Sequence, residues 1–157
     1  MVSLEGRVIG AFDESERVLG NGHTLLNVAL FLGEEDYLKQ ISQKRYNAIL
    51  QRPDGHGRIH LESAQIECPK SEKYYAWIAL AVFLKQESPA ASLYFVDGGS
   101  NMFPKGEMKK AFGNKIIYAP KTKVRGKTKD YQQNIASAAR NALHLADYFA
   151  RLRIENA

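Results

Sequence analysis

The sequence predicts one α/β domain over residues 1–157, with helices on both faces of a mixed five-stranded sheet. The first reason is the order of its apolar segments, in which an opening pair of strand patterns is followed by strand patterns that alternate with helix patterns. The second is a glycine turn at 20–22, because such a turn between two apolar segments is typical of an antiparallel hairpin. The third is size, since 157 residues that are 45% hydrophobic suffice for one packed core.

Five short apolar segments bounded by glycine, proline or polar residues predict the strands. They lie at 8–12, 23–32, 58–67, 92–96 and 115–119. The first and the fourth each end directly before an aspartate. An opening hairpin followed by strands that alternate with helices implies that the sheet has both antiparallel and parallel neighbours.

Four segments with helical patterns lie between or after these strands, at 34–50, 74–84, 104–112 and 130–157. In the first, acids precede bases, the order that a helix dipole favours. The second is apolar almost all round, so we expect it to be buried on several sides. The last carries an alanine-rich apolar stripe, which predicts close packing against the sheet.

Charge and cysteine content narrow the classes of function. A formal net charge of +5 and a pI of about 9.3 favour an anionic partner such as nucleic acid. Cys68 is the sole cysteine, which excludes an intrachain disulfide framework and a multi-cysteine zinc site and favours a reducing, cytoplasmic compartment. The sequence shows neither a secretory signal pattern nor an apolar run long enough to span a membrane, so we expect no membrane partner. Whether the protein forms a homodimer stays open.

Two predicted strands are followed by acidic residues. Asp13-Glu14-Ser15 follows the first strand and Asp97-Gly98-Gly99-Ser100 follows the fourth. Each segment alone is an ordinary turn sequence, and the second has a further interpretation as a glycine-rich loop for a nucleotide phosphate. If the two strands are neighbours, Asp13 and Asp97 lie side by side and together hold a divalent cation, Mg²⁺ or Mn²⁺.

Other carboxylates would complete such a site. Asp147, at the border of the apolar stripe of the last helix, is a third candidate ligand, and an ion pair with an arginine of the same helix is its other interpretation. The fourth is Glu14, or a glutamate from the middle of the chain, where we prefer Glu62 to Glu67, although both also fit as exposed strand residues. The predicted catalytic set is Asp13, Glu62, Asp97 and Asp147, and the predicted metal ligands are these four with Glu14.

One segment is strongly basic, with a lysine or arginine at almost every second position from 121 to 129. This pattern predicts an arm that follows a phosphate backbone, where each neutralised phosphate releases counterions. A solvated loop explains the same pattern. The residues that would contact nucleic acid are Lys123, Arg125 and Lys127.

The order of the acids resembles the ribonuclease H-like superfamily of metal-dependent nucleases, with Asp after the first strand, Glu in the middle, Asp after a later central strand and Asp in the last helix. Within it, the chain resembles an uncharacterised family that opens with Asp-Glu-Ser-Gly and closes with Leu-Gln-Leu-Ala-Asp-Tyr. The matching segments are Asp13-Glu14-Ser15 and Leu143-His144-Leu145-Ala146-Asp147-Tyr148. More distantly, the chain resembles type 2 ribonuclease H, which also opens with Asp-Glu but continues with Gly-Arg-Gly, where this chain has Ser15-Glu16-Arg17.

The resemblance implies a ribonuclease H-like sheet and a nuclease that hydrolyses phosphodiester bonds with two metal ions held by carboxylates. The absence of Gly-Arg-Gly from this part of the sequence leaves the substrate open among DNA, RNA and their hybrid. Two other functions fit the sequence. One is a nucleic-acid-binding module of the same fold without catalysis, and the other is a small-molecule nucleotide-binding protein that uses residues 97–100.

Overall fold

The structure is a computed structural model that describes residues 7–51, 58–96, 103, 106–118 and 130–155, of which 114, 118, 130–136 and 155 are described for the backbone alone. Within these residues the strands are β1 (Val8–Val18), β2 (His23–Glu34), β3 (Ile59–Pro69), β4 (Leu93–Val96) and β5 (Ile116–Tyr118). The α-helices are α1 (Glu35–Gln40), α2 (Tyr46–Leu50), α3 (Lys73–Glu87), α4 (Glu107–Phe112) and α5 (Asp130–Glu155).

The strands form one mixed sheet in the order β3-β2-β1-β4-β5. β2 runs antiparallel to both β1 and β3, whereas β4 runs parallel to β1 and to β5. The turn between β1 and β2 holds Asn21 at φ 68° and Gly22 at φ 79°, backbone conformations that asparagine and glycine adopt most readily. The predicted hairpin and the mixed five-stranded sheet are therefore confirmed.

Helices cover both faces of the sheet, as the sequence predicts. Because side chains alternate along a strand, Ile9 and Ala11 of β1 face α5, and Phe12 faces α3. The face toward α5 also packs against α1 and α2, and we call it the α5 face. The opposite side packs against α3 and α4, and we call it the α3 face.

β1 is longer than the sequence predicts. It continues through Asp13 and Glu14 to Val18, and all eleven of its residues pair with β2. Its parallel pairing with β4 ends earlier, at Phe12 opposite Val96. The prediction that β1 ends at Asp13 was wrong, because pairing with β2 extends the strand through residues whose polar side chains are typical of a turn.

The single helix predicted at 34–50 was also wrong. α1 ends at Gln40, the backbone is extended at Ile41 and Ser42, and a 3₁₀ turn, Gln43–Arg45, leads into α2. The break lets Ile41 and Leu50 both reach the core on the α5 face, whereas in one straight helix, at about 100° per residue, they would lie on opposite sides.

α3 is less enclosed than its apolar sequence predicts. Trp77, Ala81 and Leu84 are buried against the sheet, but Tyr75 and Phe83 on the outer side are 63% and 51% exposed. The helix therefore has one buried side, and the expectation that it is buried on several sides was wrong.

α5 packs closely against the sheet, as its alanines predict. Its buried stripe has no exposed surface at Ala138, Ala139, Ala142, Ala146 and Ala150. The small side chains allow the helix backbone to approach β1 and β2. Among the described helices, none combines the length and the apolar character that crossing a membrane requires.

Candidate functional site

Asp13 and Glu14 lie next to each other in β1, where the strand leaves β4 behind and continues with β2 alone. Asp13 is 6% exposed, one of the few buried polar residues among those described. Its Oδ1 accepts a hydrogen bond of 2.8 Å from the Glu14 backbone N–H. This bond turns the Asp13 carboxylate along the strand toward Glu14, so two carboxyl groups on successive residues interact.

The pKa of Glu14 reflects its interaction with Asp13. Burial, with the hydrogen bond and negative charge of Asp13, raises the pKa of Glu14 to about 8. The positive charge of the Lys73 ammonium lowers the pKa of Glu14, but not strongly enough to reverse the shift. Lys73 is itself engaged by Glu16, at 3.0 Å between Nζ and Oε1. The pair therefore retains a proton at neutral pH when no cation compensates its charge.

The end of β4 lies beside this pair. Val96, the last residue of β4, is opposite Phe12, the residue that precedes Asp13. Asp97 is the next residue in the chain and lies outside the described residues, as do 98–100. The described register therefore supports the prediction that the two strands are neighbours, while the position of the Asp97 carboxylate stays a prediction.

Polar side chains on the α5 face attach α5 to the sheet. Ser15 Oγ and Asn27 Nδ2 both donate to the Ala150 carbonyl oxygen, at 2.6 Å and 3.0 Å. Ser15 and Asn27 are direct partners across β1 and β2, and Asn27 is fully buried. The two bonds fix the position of α5 along β1.

This attachment determines the position of Asp147 along the direction of β1. Farther toward the N-terminus of α5, the Asn141 side chain donates to a carbonyl of α1 and to the carbonyl of the residue that follows α1. α1 begins beside the start of β1. α5 therefore runs in the same direction as β1. Asp147 precedes Ala150 by three residues, or about 4.5 Å. Asp13 precedes Ser15 by two strand residues, or about 7 Å. Asp147 therefore lies at nearly the level of Asp13 along β1.

The Asp147 carboxylate is partly buried and accepts a hydrogen bond from the Arg151 guanidinium one turn later. The alternative interpretation of Asp147 as half of a helix ion pair thus describes one of its contacts. Arg151 also lies over the Tyr148 ring, with 5.1 Å from its Cζ to the ring centroid. A cation at Asp147 would compete with this guanidinium.

The glutamates of β3 lie apart from Asp13. Glu62 is opposite Leu30, which is opposite Phe12, so Glu62 shares the α3 face while Asp13 is on the α5 face. It also lies two strands away, about 10 Å, and pairs with His60 at 3.0 Å. The register thus argues against Glu62, the preferred middle carboxylate.

Glu67 does not replace it. It is on the α5 face, but its row is displaced from that of Asp13 by four residues, about 13 Å along the strand. It pairs with His23 at 3.3 Å and is 58% exposed. The register of β2 and β3 places both glutamates away from Asp13, and it follows only from the observed pairing of the strands.

The described residues supply two adjacent carboxyl groups and a third on α5. Among them, no three His, Cys, Asp or Glu side chains are grouped closely enough to hold a metal ion. Carboxylate oxygens are the ligands that Mg²⁺ and Mn²⁺ favour, and the proton-sharing Asp13–Glu14 pair is a donor set that a divalent cation would stabilise. The chemistry of the pair fits such a cation. The predicted basic contacts Lys123, Arg125 and Lys127 fall outside the described part of the chain.

Sequence reasoning missed the roles of Ser15 and Asn27, which locate α5. A polar residue in the middle of the apolar β2 segment, Asn27, was a usable signal, because buried polar side chains have hydrogen-bond partners to satisfy. The ion pair of Asp147 with Arg151, one of the two arginine partners that the sequence offered for Asp147, is confirmed.

No protein-family model and no curated protein matches this sequence. Among solved structures, the chain is similar to one in the complex of PCNA with ribonuclease HII from Archaeoglobus fulgidus, with 14% identity, a TM-score of 0.49 and coverage of 95% of this chain and 75% of that one. It is similar to Bst ribonuclease HIII in complex with Mn²⁺, with 14% identity, a TM-score of 0.42 and coverage of 98% of this chain and 55% of that one.

A third similar structure is endonuclease V from Ciona intestinalis, in complex with a 24mer DNA that contains an inosine followed by a ribo-adenosine. Here identity is 14%, the TM-score is 0.41, and coverage is 96% of this chain and 57% of that one. This chain thus spans little more than half the length of the ribonuclease HIII and endonuclease V chains. These likenesses concern the arrangement of sheet and helices.

Proposed function

We propose that the protein is a divalent-metal-dependent nuclease that hydrolyses phosphodiester bonds in nucleic acid, with Asp13, Glu14, Asp97 and Asp147 as the carboxylates of its site. The observation that carries this proposal is the buried pair of Asp13 and Glu14, located where the parallel pairing of β1 with β4 ends. A fold gains nothing in stability from two interacting carboxyl groups at such a position, which favours a functional reason for them.

Asp13 and Glu14 would hold a Mg²⁺ or Mn²⁺ ion. Its positive charge would take over the role of the proton that Glu14 retains. A divalent cation at this position supplies Lewis acidity, lowering the pKa of water and stabilising the charge on a leaving oxygen. The chain's own contribution is to hold the oxygen donors in place on a central strand and to limit the access of bulk water, since Asp13 is buried.

The other two carboxylates are assigned on their position in the chain. Asp97 follows the last residue of β4, whose neighbour in the sheet directly precedes Asp13. Asp147 is held at nearly the level of Asp13 by the bonds from Ser15 and Asn27 to α5. Glu62 is left out of the proposed set, because it lies two strands, about 10 Å, from β1.

The substrate class is nucleic acid, which the net charge of +5 supports through attraction of a polyanion. The similar structures include proteins whose names describe nucleases, one of them bound to DNA and another to Mn²⁺.

The test is cleavage of labelled DNA, RNA and hybrid oligonucleotides with Mg²⁺ or Mn²⁺, comparing Asp13→Asn with two matched controls. Asp13→Asn removes a donor charge at the site and should lower the cleavage rate by about 100-fold or more, since a metal ion contributes several kcal/mol to the transition state. Glu62→Gln and Glu67→Gln remove the same charge from β3 and should retain wild-type rates within about twofold, because both lie away from Asp13.

Cleavage by Asp13→Asn at the wild-type rate would overturn the proposal. So would a wild-type protein that binds oligonucleotides but leaves every substrate intact with either metal, which would instead establish a binding module without catalysis. Loss of activity in Glu62→Gln equal to that in Asp13→Asn would restore the sequence-based choice of Glu62.

A further inference from the structure

The outer side of α5 carries a row of basic and aromatic side chains beside Asp147. Arg140, His144 and Tyr148 are spaced by four residues, and Arg151 continues the row by three, so all four lie on one side of the helix. Arg140 and Arg151 are exposed, whereas His144 and Tyr148 are partly buried. We call these four residues the α5 ridge.

The rings of the ridge are held together by contacts with α2. Tyr46 of α2 lies edge-on to Tyr148, with 5.7 Å between ring centroids, and 6.3 Å from the His144 ring. His144 and Tyr148 are themselves 6.4 Å apart. The Tyr46 hydroxyl donates to the Asn141 side chain, which fixes its ring. Tyr148 is thereby presented by a rigid support, with the Arg151 guanidinium over its ring.

Positive charge surrounds these rings. The charge of Arg140 acts on the Tyr46 hydroxyl, and Lys44 and Arg45 are exposed in the turn that directly precedes Tyr46. In the neighbouring segment Glu35 pairs with Arg7 and Lys39, and Glu34 pairs with Arg58, while Asp36 is exposed. Among the described side chains of α5, Asp147 is the one acid, and it too pairs with a base, Arg151.

We propose that the α5 ridge binds a single strand of nucleic acid and leads it toward Asp147, an inference that rests on the proposed nuclease function and names a binding surface for it. Basic side chains interleaved with aromatic rings are the combination that binds single strands, because phosphates pair with the charges while unpaired bases stack on the rings and on guanidinium planes. A duplex keeps its bases stacked inside and would not engage Tyr148.

The size of the ridge fits several nucleotides. From Arg140 to Arg151 the helix rises about 16 Å, a length that contacts several nucleotides of a single strand. In this arrangement Tyr148 and Arg151 offer stacking surface near Asp147, and Arg140, with Lys44 and Arg45, neutralises phosphates farther along. Release of Arg151 from Asp147 would make its guanidinium available to the strand.

The experiment measures binding of a fluorescent oligothymidylate of about twelve nucleotides, long enough to cover the ridge, to the metal-free protein in EDTA. Tyr148→Leu removes the ring and should weaken binding about 5- to 150-fold, the loss that one stacking contact represents. Tyr148→Phe keeps the ring and should bind like wild type. Both variants keep a hydrophobic side chain at position 148 against Tyr46 and the core. Thermal melting should show that each variant is folded.

The contribution of positive charge is tested separately by comparing Arg140→Gln with a control, Lys109→Gln. Lys109 is an exposed base on α4, on the opposite side of the sheet. For Arg140→Gln, the slope of the logarithm of the association constant against the logarithm of the salt concentration should become less steep by about 0.7, the value for one phosphate on a single strand. Lys109→Gln should leave the slope unchanged. Equal slopes for the two variants, or equal binding by Tyr148→Leu and Tyr148→Phe, would overturn the inference.

These outcomes separate the inference from the function on which it rests. If Asp13→Asn abolishes cleavage while the ridge variants bind like wild type, the nuclease stands and the ridge is wrong. If no metal supports cleavage by the wild type but the ridge variants lose binding, the ridge stands as a binding surface and the nuclease is wrong.

Discussion

At the scale of single residues, the feature that distinguishes this protein is the interaction between the carboxyl groups of Asp13 and Glu14. Successive residues in a strand normally point to opposite faces, but the bond from the Glu14 N–H draws the Asp13 carboxylate along the strand. Burial and the nearby charge then favour the protonated form of Glu14. In the metal-free protein this pair should make stability depend on pH.

We predict that Glu14→Gln stabilises the metal-free protein at pH 8 and not at pH 4. The pKa of Glu14 is raised from 4.5 to about 8 on folding, so between these values the folded state binds more protons than the unfolded state and its stability falls as the pH rises. Glutamine removes that penalty. In EDTA, the melting temperature of the variant should exceed that of wild type by at least about 2 °C at pH 8, the shift expected from roughly 1 kcal/mol.

Glu67→Gln serves as the control for this comparison, since Glu67 is largely exposed on β3. It should melt like wild type at both pH values. A difference between Glu14→Gln and wild type that is the same at pH 4 and pH 8 would show that the carboxyl pair is not its cause.

At the scale of elements, side-chain hydrogen bonds among the described residues hold α5 to the sheet and to α1. Near its C-terminal end, Ser15 and Asn27 bind the Ala150 carbonyl. Nearer its N-terminal end, Asn141 donates to the carbonyls of Leu38 and Ile41, at 2.6 Å and 3.1 Å. These bonds satisfy backbone groups where α1 ends and explain how the broken helical segment stays in place.

We predict that Asn141→Ala destabilises the protein by about 1–3 kcal/mol, because it leaves partly buried carbonyls and the Tyr46 hydroxyl without this partner. Urea denaturation should show a lower midpoint at an unchanged slope. Asn47→Ala, at an exposed position of α2, is the matched control and should lie within about 0.5 kcal/mol of wild type. Equal midpoints for the two variants would contradict this role of Asn141.

At the scale of the whole molecule, the proposed cation would join β1, the residue after β4, and α5. Three parts of the chain that are distant in sequence would then share one ligand. A ligand that binds the folded state alone raises stability in proportion to its concentration relative to Kd. The folded protein should therefore be measurably more stable with the metal than without it.

We predict that Mn²⁺ at about 100 times its Kd stabilises the wild-type protein by about 2.7 kcal/mol, which raises the melting temperature of a domain of this size by about 5–10 °C. Asp13→Asn should show a much smaller increase, since it lacks a central donor. Glu62→Gln should respond to Mn²⁺ like wild type. An equal increase in the wild type and Asp13→Asn would show that Mn²⁺ acts elsewhere on the molecule.

The sequence by itself determined the class of fold, the hairpin and the alanine-packed last helix, and it identified Asp13 and Asp147 as candidate carboxylates, because apolar periodicity, glycine turns and residue chemistry are local properties. Only the tertiary structure decided how far β1 extends, where 34–50 breaks and which face of β3 carries Glu62, because these depend on pairing between distant segments. A shift of one residue in the register of a strand exchanges its two faces. That is why the sequence identified candidate acids but did not determine which of them lie close to Asp13.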